Sequence, residues 1–426
     1  MNSTLYKEIS KKEIFPALGC TEPIAIAYAV SRANEYINTT IANITITLDA
    51  GTHKNSIGVI IPNSGNNKGT NIAAALGIYG DAKRGLEVLY GLGEDKIQAA
   101  LDLDRRKIIN THINEDSNLY IKAEINTIDK KNVVVVIKST HTNIVSILVD
   151  NVEQLEKENV QEGATQKLNY QDLVRSLTIK DMLDLAKKID DSDINQIKQG
   201  ISMQLAIGEE LRTSFPDEYE KLRSSYSGLL YSNQLAEILL LCTSATYARM
   251  SGVNKPVMSS GGSGNQGIVA MLLPYLYGIK VLGIGNEDRK LYESIALSNI
   301  VNSYVKCYTG AISSMCGCYI AAGTGAIAGM LYQGDAPEKN MHFGISNMVA
   351  SSGGVLCDGA KIGCYNKVAA SVVNSINAVS QANQSFGVTN TDGIIGRDGL
   401  ESIRNISQIA NEGGINKALI PILRAK

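Results

Sequence analysis

The sequence predicts an α+β protein, with a small sheet in an N-terminal part and a mostly helical remainder. Three observations carry this. β-Branched runs that alternate apolar and polar residues are confined to the chain before Glu153. Helical periodicity dominates everything after Lys167. Between them, Glu153 to Lys167 is polar and charged, the composition of a boundary. A chain of 426 residues is long for one domain. The expected division is therefore an N-terminal domain over 1–160 and a helical domain over 161–426.

In chain order, Lys11 to Gly19 leads into an apolar helix over Pro23 to Tyr36. Ile41 to Leu48 reads as a strand and Ser56 to Ile61 as a second β-rich run. A helical stretch follows from about Gly69 to Leu101. Leu119 to Ile128 and Val133 to Ile137 are strands joined by the turn Asp129-Lys130-Lys131-Asn132, and Ile144 to Val149 is a further strand. Beyond the boundary, helices are expected over Tyr170–Ile189, Asp193–Arg212, Leu235–Met250, Glu287–Val305 and Ala360–Ala378. Glycine-rich breaks separate them at Ser259 to Gly267, Ser351 to Gly354 and Glu412 to Gly414.

Composition narrows the class. Hydrophobic residues make up 44% of the chain, enough for a sizeable core. With 40 basic and 42 acidic residues the net charge is -2, so no electrostatic footprint for nucleic acid or an anionic membrane exists. No secretory h-region opens the sequence. The uncharged stretch Cys307 to Gly334 is too rich in Gly, Ala, Ser and Thr for a membrane span, and reads as a buried helix. A cytoplasmic protein is expected, with a homodimer as the default assembly.

Seven cysteines, an odd count with loose spacing, do not read as a disulfide framework. Met315-Cys316-Gly317-Cys318 is followed by Cys357-Asp358-Gly359-Ala360-Lys361-Ile362-Gly363-Cys364. Thiolates are the usual ligands of iron–sulfur clusters because soft sulfur matches the cluster iron. The Cys357–Cys364 interval matches no standard ferredoxin or zinc-finger spacing, so two readings stand: cluster ligands, or small buried residues in Gly/Ala-rich helices. Cys242 and Cys307 read as core.

Two further motifs join them. In Gly19-Cys20-Thr21-Glu22-Pro23, Cys20 sits just before a helix start, a position that lowers a thiol pKa. It is a candidate nucleophile, base or fourth cluster ligand, against an inert cysteine at a tight turn. In Ser259-Ser260-Gly261-Gly262-Ser263-Gly264-Asn265-Gln266-Gly267, glycines let backbone N–H groups approach an anion at a helix N-terminus. A substrate carboxylate or a phosphate suits it, although a flexible interhelical loop has the same composition and no P-loop Lys-Ser/Thr ending is present. Of four histidines, only His141, at a strand end, is an acid–base candidate.

Taken together, these pieces resemble the L-cysteine desulfidases, a family related to the α-chain of iron–sulfur L-serine dehydratases. The matching segments are Gly19–Pro23, Ser263–Gly267, Cys316-Gly317 with Ala321-Ala322-Gly323, Cys357–Ala360 with Cys364, and Thr391-Asp392-Gly393-Ile394-Ile395. They follow the family's order and span nearly the whole chain. The resemblance implies a [4Fe–4S] cluster held by Cys316, Cys357 and Cys364, with Cys20 as fourth ligand or catalytic thiol. Cys318 competes with Cys316, which has the family's glycine after it. It further implies a lyase that releases sulfide from a small amino acid, L-cysteine. The substrate carboxylate is expected on Ser263, Gly264 and Asn265, with Lys361. Serine dehydratases carry a proline after the Cys-Asp pair and a wider final cysteine interval. Gly359 at that place favours the desulfidase branch. An iron–sulfur serine dehydratase, a non-catalytic iron–sulfur sensor and a pyridoxal phosphate enzyme using Lys361 are the alternatives.

Overall fold

The structure, a computed structural model, describes residues 4–114, 119–155, 169–227 and 232–424. One sheet has the strand order Ile109–Asn114, Ile41–Asp49, Tyr120–Thr127, Asn132–Lys138, Ile144–Val149, Val152–Glu153. Ile109–Asn114 runs parallel to Ile41–Asp49, and all other neighbours are antiparallel. The parallel pair needs a crossover, supplied by helices Thr70–Gly77 and Glu94–Arg105. Alternation in Ile41–Asp49 turns Ile44, Ile46 and Leu48 inward, into the same core as Ile24, Ala27 and Val30 of helix Thr21–Asn34.

The expected strand over Ser56–Ile61 does not form. Asp49 caps a helix over Ala50–Ser56, accepting from the N–H groups of Gly51 and Thr52 at 2.8 and 2.9 Å. That helix takes Ser56, and the residues after it keep only an isolated bridge between Ile60 and Lys68.

A second core gathers the helices Asp191–Ser214, Asn233–Met250, Arg289–Thr309, Ala322–Gln333, Glu338–Ser352, Cys364–Asn383 and Gly399–Glu412. The Gly/Ala-rich composition near Ala322 has a packing cause. A Cβ on Gly325 would lie 2.3 Å from the Ser298 carbonyl, and one on Gly329 2.6 Å from that of Ser294. Helices Arg289–Thr309 and Ala322–Gln333 therefore touch backbone to backbone. Cys307 to Gly334 is not one helix, because Gly310, at φ +78°, ends the first helix before Ala322–Gln333 starts. Tyr170–Ile189 is likewise split. Thr178 and Asp181 form a capping box that starts a new helix, Ile179–Ala186.

Two of the contacts that join the parts lie near the start of the chain. Helix Thr4–Glu13 contributes Leu5, Tyr6 and Ile9 to the helical core. Strand Pro16–Leu18 then pairs antiparallel with Pro256–Met258, which seats Cys20, two residues on, against the helical part. The division expected after residue 160 falls within 156–168, outside the described residues. No described helix is long and apolar enough to cross a membrane.

Candidate functional site

Five cysteines from three stretches of chain, Cys20, Cys316, Cys318, Cys357 and Cys364, line one cavity of about 80 Å³. Local structure explains the convergence. Cys316 N–H donates to Val355 O at 2.9 Å and Cys357 N–H to Ser314 O at 2.8 Å, so two short segments pair antiparallel and set Cys316 beside Cys357. Cys364 opens helix Cys364–Asn383, and Cys20 caps helix Thr21–Asn34. Two of the thiols thus stand at positive ends of long helices, where anionic sulfur is favoured.

Gly359 shapes the turn between Cys357 and Cys364. Its φ is +101°, and a Cβ there would lie 2.7 Å from the backbone oxygen of Lys54. Gly359→Ala is expected to destabilise the protein by about 2–4 kcal/mol through strain and overpacking. Urea unfolding measures it. Asp358 ties the same turn down, pairing with Lys361 at 2.6 Å and closely with Lys367. Burial alone would raise its pKa, but these two lysines hold it at about 2.

The thiols are not equivalent. Cys318 donates to Cys316, which lowers the Cys316 pKa and raises that of Cys318; Lys367 reinforces the first effect. Burial pushes Cys364 up to about 11. Cys20 departs from the sequence expectation. Its thiol is pushed well above the ordinary value, first by burial and then by the Glu22 carboxylate, to which it donates at 2.9 Å. The helix start does not outweigh these two effects.

Among the described residues, no group of three or more His, Cys, Asp and Glu could hold a metal ion. A polynuclear cluster spreads its thiolates over separate irons, so its cysteines need not close on one point as the ligands of a single ion do.

Glu22 organises the opposite wall. Burial would raise its pKa, but His141, Cys20 and Asn55 interact with the carboxylate and hold it well below the usual range. Asn55 Nδ2 donates to Oε1 at 2.9 Å, and His141 Nε2 lies 3.7 Å from the same oxygen. Arg249, 2% exposed, donates to Asn265 Oδ1 at 2.8 Å and to the Gly19 carbonyl. One guanidinium therefore joins the Cys20 turn to the glycine-rich loop.

That loop is a tight turn in which Ser260 and Ser263 exchange backbone hydrogen bonds around Gly261 and Gly262, both at positive φ. It opens a continuous helical run over Gly264–Lys280. Ser263 and Asn265 line the cysteine cavity. Gly264 does not: a Cβ there would lie 2.5 Å from Arg249 Nε, so its bareness serves the arginine. Lys361 also lines no part of the cavity, being held on Asp358 and the Gly359 carbonyl. The lysines that do are Lys306 and Lys367.

Sequence reading passed over Arg249, Asn55 and Lys306. The available signal was a charge at the end of an apolar helix, as in Ala248-Arg249-Met250 and Val305-Lys306-Cys307. Lys306, 8% exposed, donates to Ala311 O at 2.8 Å, and burial lowers its pKa. With His141, Ala311 and Ile312 it lines both the cysteine cavity and a neighbouring cavity of about 480 Å³.

The sequence model of the family described as serine dehydratase alpha chain matches residues 87–418. A UPF0597 protein of Geobacter sulfurreducens is 37% identical over 415 residues, spanning 96% of this chain and 95% of its own. One from Clostridium tetani is 39% identical over 411 residues, spanning 95% and 94%. One from Elusimicrobium minutum is 33% identical over 432 residues, spanning 99% of each. These names state no reaction. Matched over most of its length, the chain belongs to the serine dehydratase alpha chain family.

Proposed function

We propose that this protein is an iron–sulfur-dependent β-eliminating lyase that converts L-cysteine and water to sulfide, ammonia and pyruvate. The observation that carries the reading is the convergence of Cys20, Cys316, Cys357 and Cys364 on one cavity whose wall includes an anion-suited helix start. Cys316, Cys357 and Cys364 are the residues that would hold a [4Fe–4S] cluster, with Cys316 preferred to Cys318 because its backbone bond to Val355 sets it beside Cys357. Such a cluster with three protein thiolates supplies a Lewis-acidic iron that polarises a β-carbon–sulfur bond.

The chain's own residues do the rest. Ser263 and the first-turn N–H groups of the Gly264–Lys280 run face the substrate carboxylate, and Lys306 takes the part that Lys361 was expected to play. Arg249 holds this loop and the Cys20 turn in one register. Cys20 is the catalytic thiol. Its hydrogen bond to Glu22 aims it and, with burial, keeps its proton on sulfur.

Positioned acid–base groups typically contribute about 10²–10⁴-fold. Cys20→Ala is therefore expected to keep its iron and lose turnover by about that factor. Near-full activity in that variant contradicts the role. The substrate is tested by measuring sulfide and ammonia in parallel from air-free, iron-loaded protein. One sulfide per ammonia from L-cysteine is the expected result. Ammonia from L-serine, with no sulfide from L-cysteine, makes the protein a serine dehydratase, the reading closest to the family description.

A further inference from the structure

The cavity of about 480 Å³ beside the cysteines contains a buried carboxylate that the proposed chemistry leaves unused. Among the described residues Glu13 is the one acidic side chain lining it, against Lys12, Arg175 and Lys306. Glu13 is 7% exposed and ends helix Thr4–Glu13. Its Oε1 accepts from Ser303 Oγ at 2.8 Å and from Tyr170 hydroxyl at 3.1 Å. Its Oε2 is buried and has no hydrogen-bond partner. A buried carboxylate oxygen without a donor costs free energy, so a ligand that brings a donor regains it.

The kind of donor follows from the surroundings. A divalent cation takes six or more oxygen ligands, whereas here one carboxylate stands among three cationic side chains. An ammonium needs only one anionic partner and a few acceptors. The neighbouring geometry suits the other end of an amino acid. Lys306 Nζ spends one donor on Ala311 O, and its stem packs at Gly261, in the loop that leads to Ser263. The Glu13 carbonyl accepts from Gly262 N–H at 3.1 Å and from Ser259 Oγ at 2.8 Å, so Glu13 is built onto that same loop. Carboxylate, amine and loop form one polar unit on the path between the two cavities.

We propose that Glu13 anchors the amino group of the substrate: its free oxygen takes the α-ammonium of a small amino acid whose carboxylate faces Lys306 and the Ser263 loop. This rests on the amino-acid substrate proposed above, and it makes the larger cavity the place where the zwitterion is recognised before its side chain meets the cysteines. Discrimination then comes from charge at both ends of the ligand. Acids without an amino group leave Glu13 unpaired.

The test is calorimetric binding of L-alanine, which has no leaving group, and of propionate, which lacks the amine, to the full-length protein. Wild type is expected to bind L-alanine about 10- to 100-fold more tightly than propionate, the usual worth of a hydrogen bond to a charged group. Glu13→Gln should remove that preference and leave propionate unchanged. Equal binding of the two ligands by wild type overturns the proposal without needing any variant, as does an absence of L-alanine binding at millimolar concentration. A folded Glu13→Gln protein that keeps the preference overturns it too. Failure of the lyase reading is separate: it appears as no sulfide or ammonia from L-cysteine, whatever L-alanine does.

Discussion

Cys357→Ala protein, purified without air, is expected to lose most of its iron and at least about 10³-fold of its turnover with L-cysteine. The magnitude follows from the several kcal/mol that a Lewis-acidic metal contributes to a transition state, each 1.36 kcal/mol being tenfold. The position matters more than the residue type. Cys357 is fixed by its N–H bond to Ser314, which sets it beside Cys316 at the cavity. Cys242 is the control. It is fully buried in the helical core, away from the cavity, and burial pushes its pKa up to about 12. Cys242→Ala should keep iron and turnover and cost about 1 kcal/mol of stability. Equal iron loss in both variants would mean that the cysteines act only through packing.

Arg249→Leu is expected to cost about 3–5 kcal/mol of folding stability, the usual result of removing one member of a buried charged set. The guanidinium is 2% exposed and donates to Asn265 and Gly19, and near it lie Cys20 and the ionised Glu22. Leucine leaves both acceptors unpaired and removes the compensating cation. Arg249→Lys keeps a charge but not the fork that spans two segments, so it should recover only part of the loss. Urea unfolding of the three proteins decides it. A loss under about 1 kcal/mol for Arg249→Leu would show that the loop and the Cys20 turn hold their register without the arginine.

The sheet was legible where one face is buried. In Ile41–Asp49 alternation alone gives the inward set of Ile44, Ile46 and Leu48. Ile109–Asn114 was missed because its inward residues are few and its partner, Ile41–Asp49, is distant in sequence and parallel. Ser56–Ile61 misled because β-propensity needs a partner strand, and this run pairs only through the isolated Ile60–Lys68 bridge. The site was legible in its cysteines and glycines, since both residue types mark chemistry or backbone constraint. Its cations were not. Lys361 looked well placed between Cys357 and Cys364, but Asp358 holds it three residues away. Lys306 belongs to a helix buried along almost its whole length, and only the tertiary fold shows what it meets. The thiol state of Cys20 was misjudged for a related reason. A helix dipole acts along one axis, whereas burial and Glu22 act from the whole surroundings.

Lyase chemistry at this site depends on what the cavity lined by Cys20, Cys316, Cys357 and Cys364 contains in the working protein. Iron and acid-labile sulfide, determined per chain on protein prepared under strict exclusion of air, test it most directly. The expected result is a brown protein with equal amounts of the two, about four of each per chain, lost on exposure to air. A colourless protein free of iron and sulfide, prepared the same way, contradicts it.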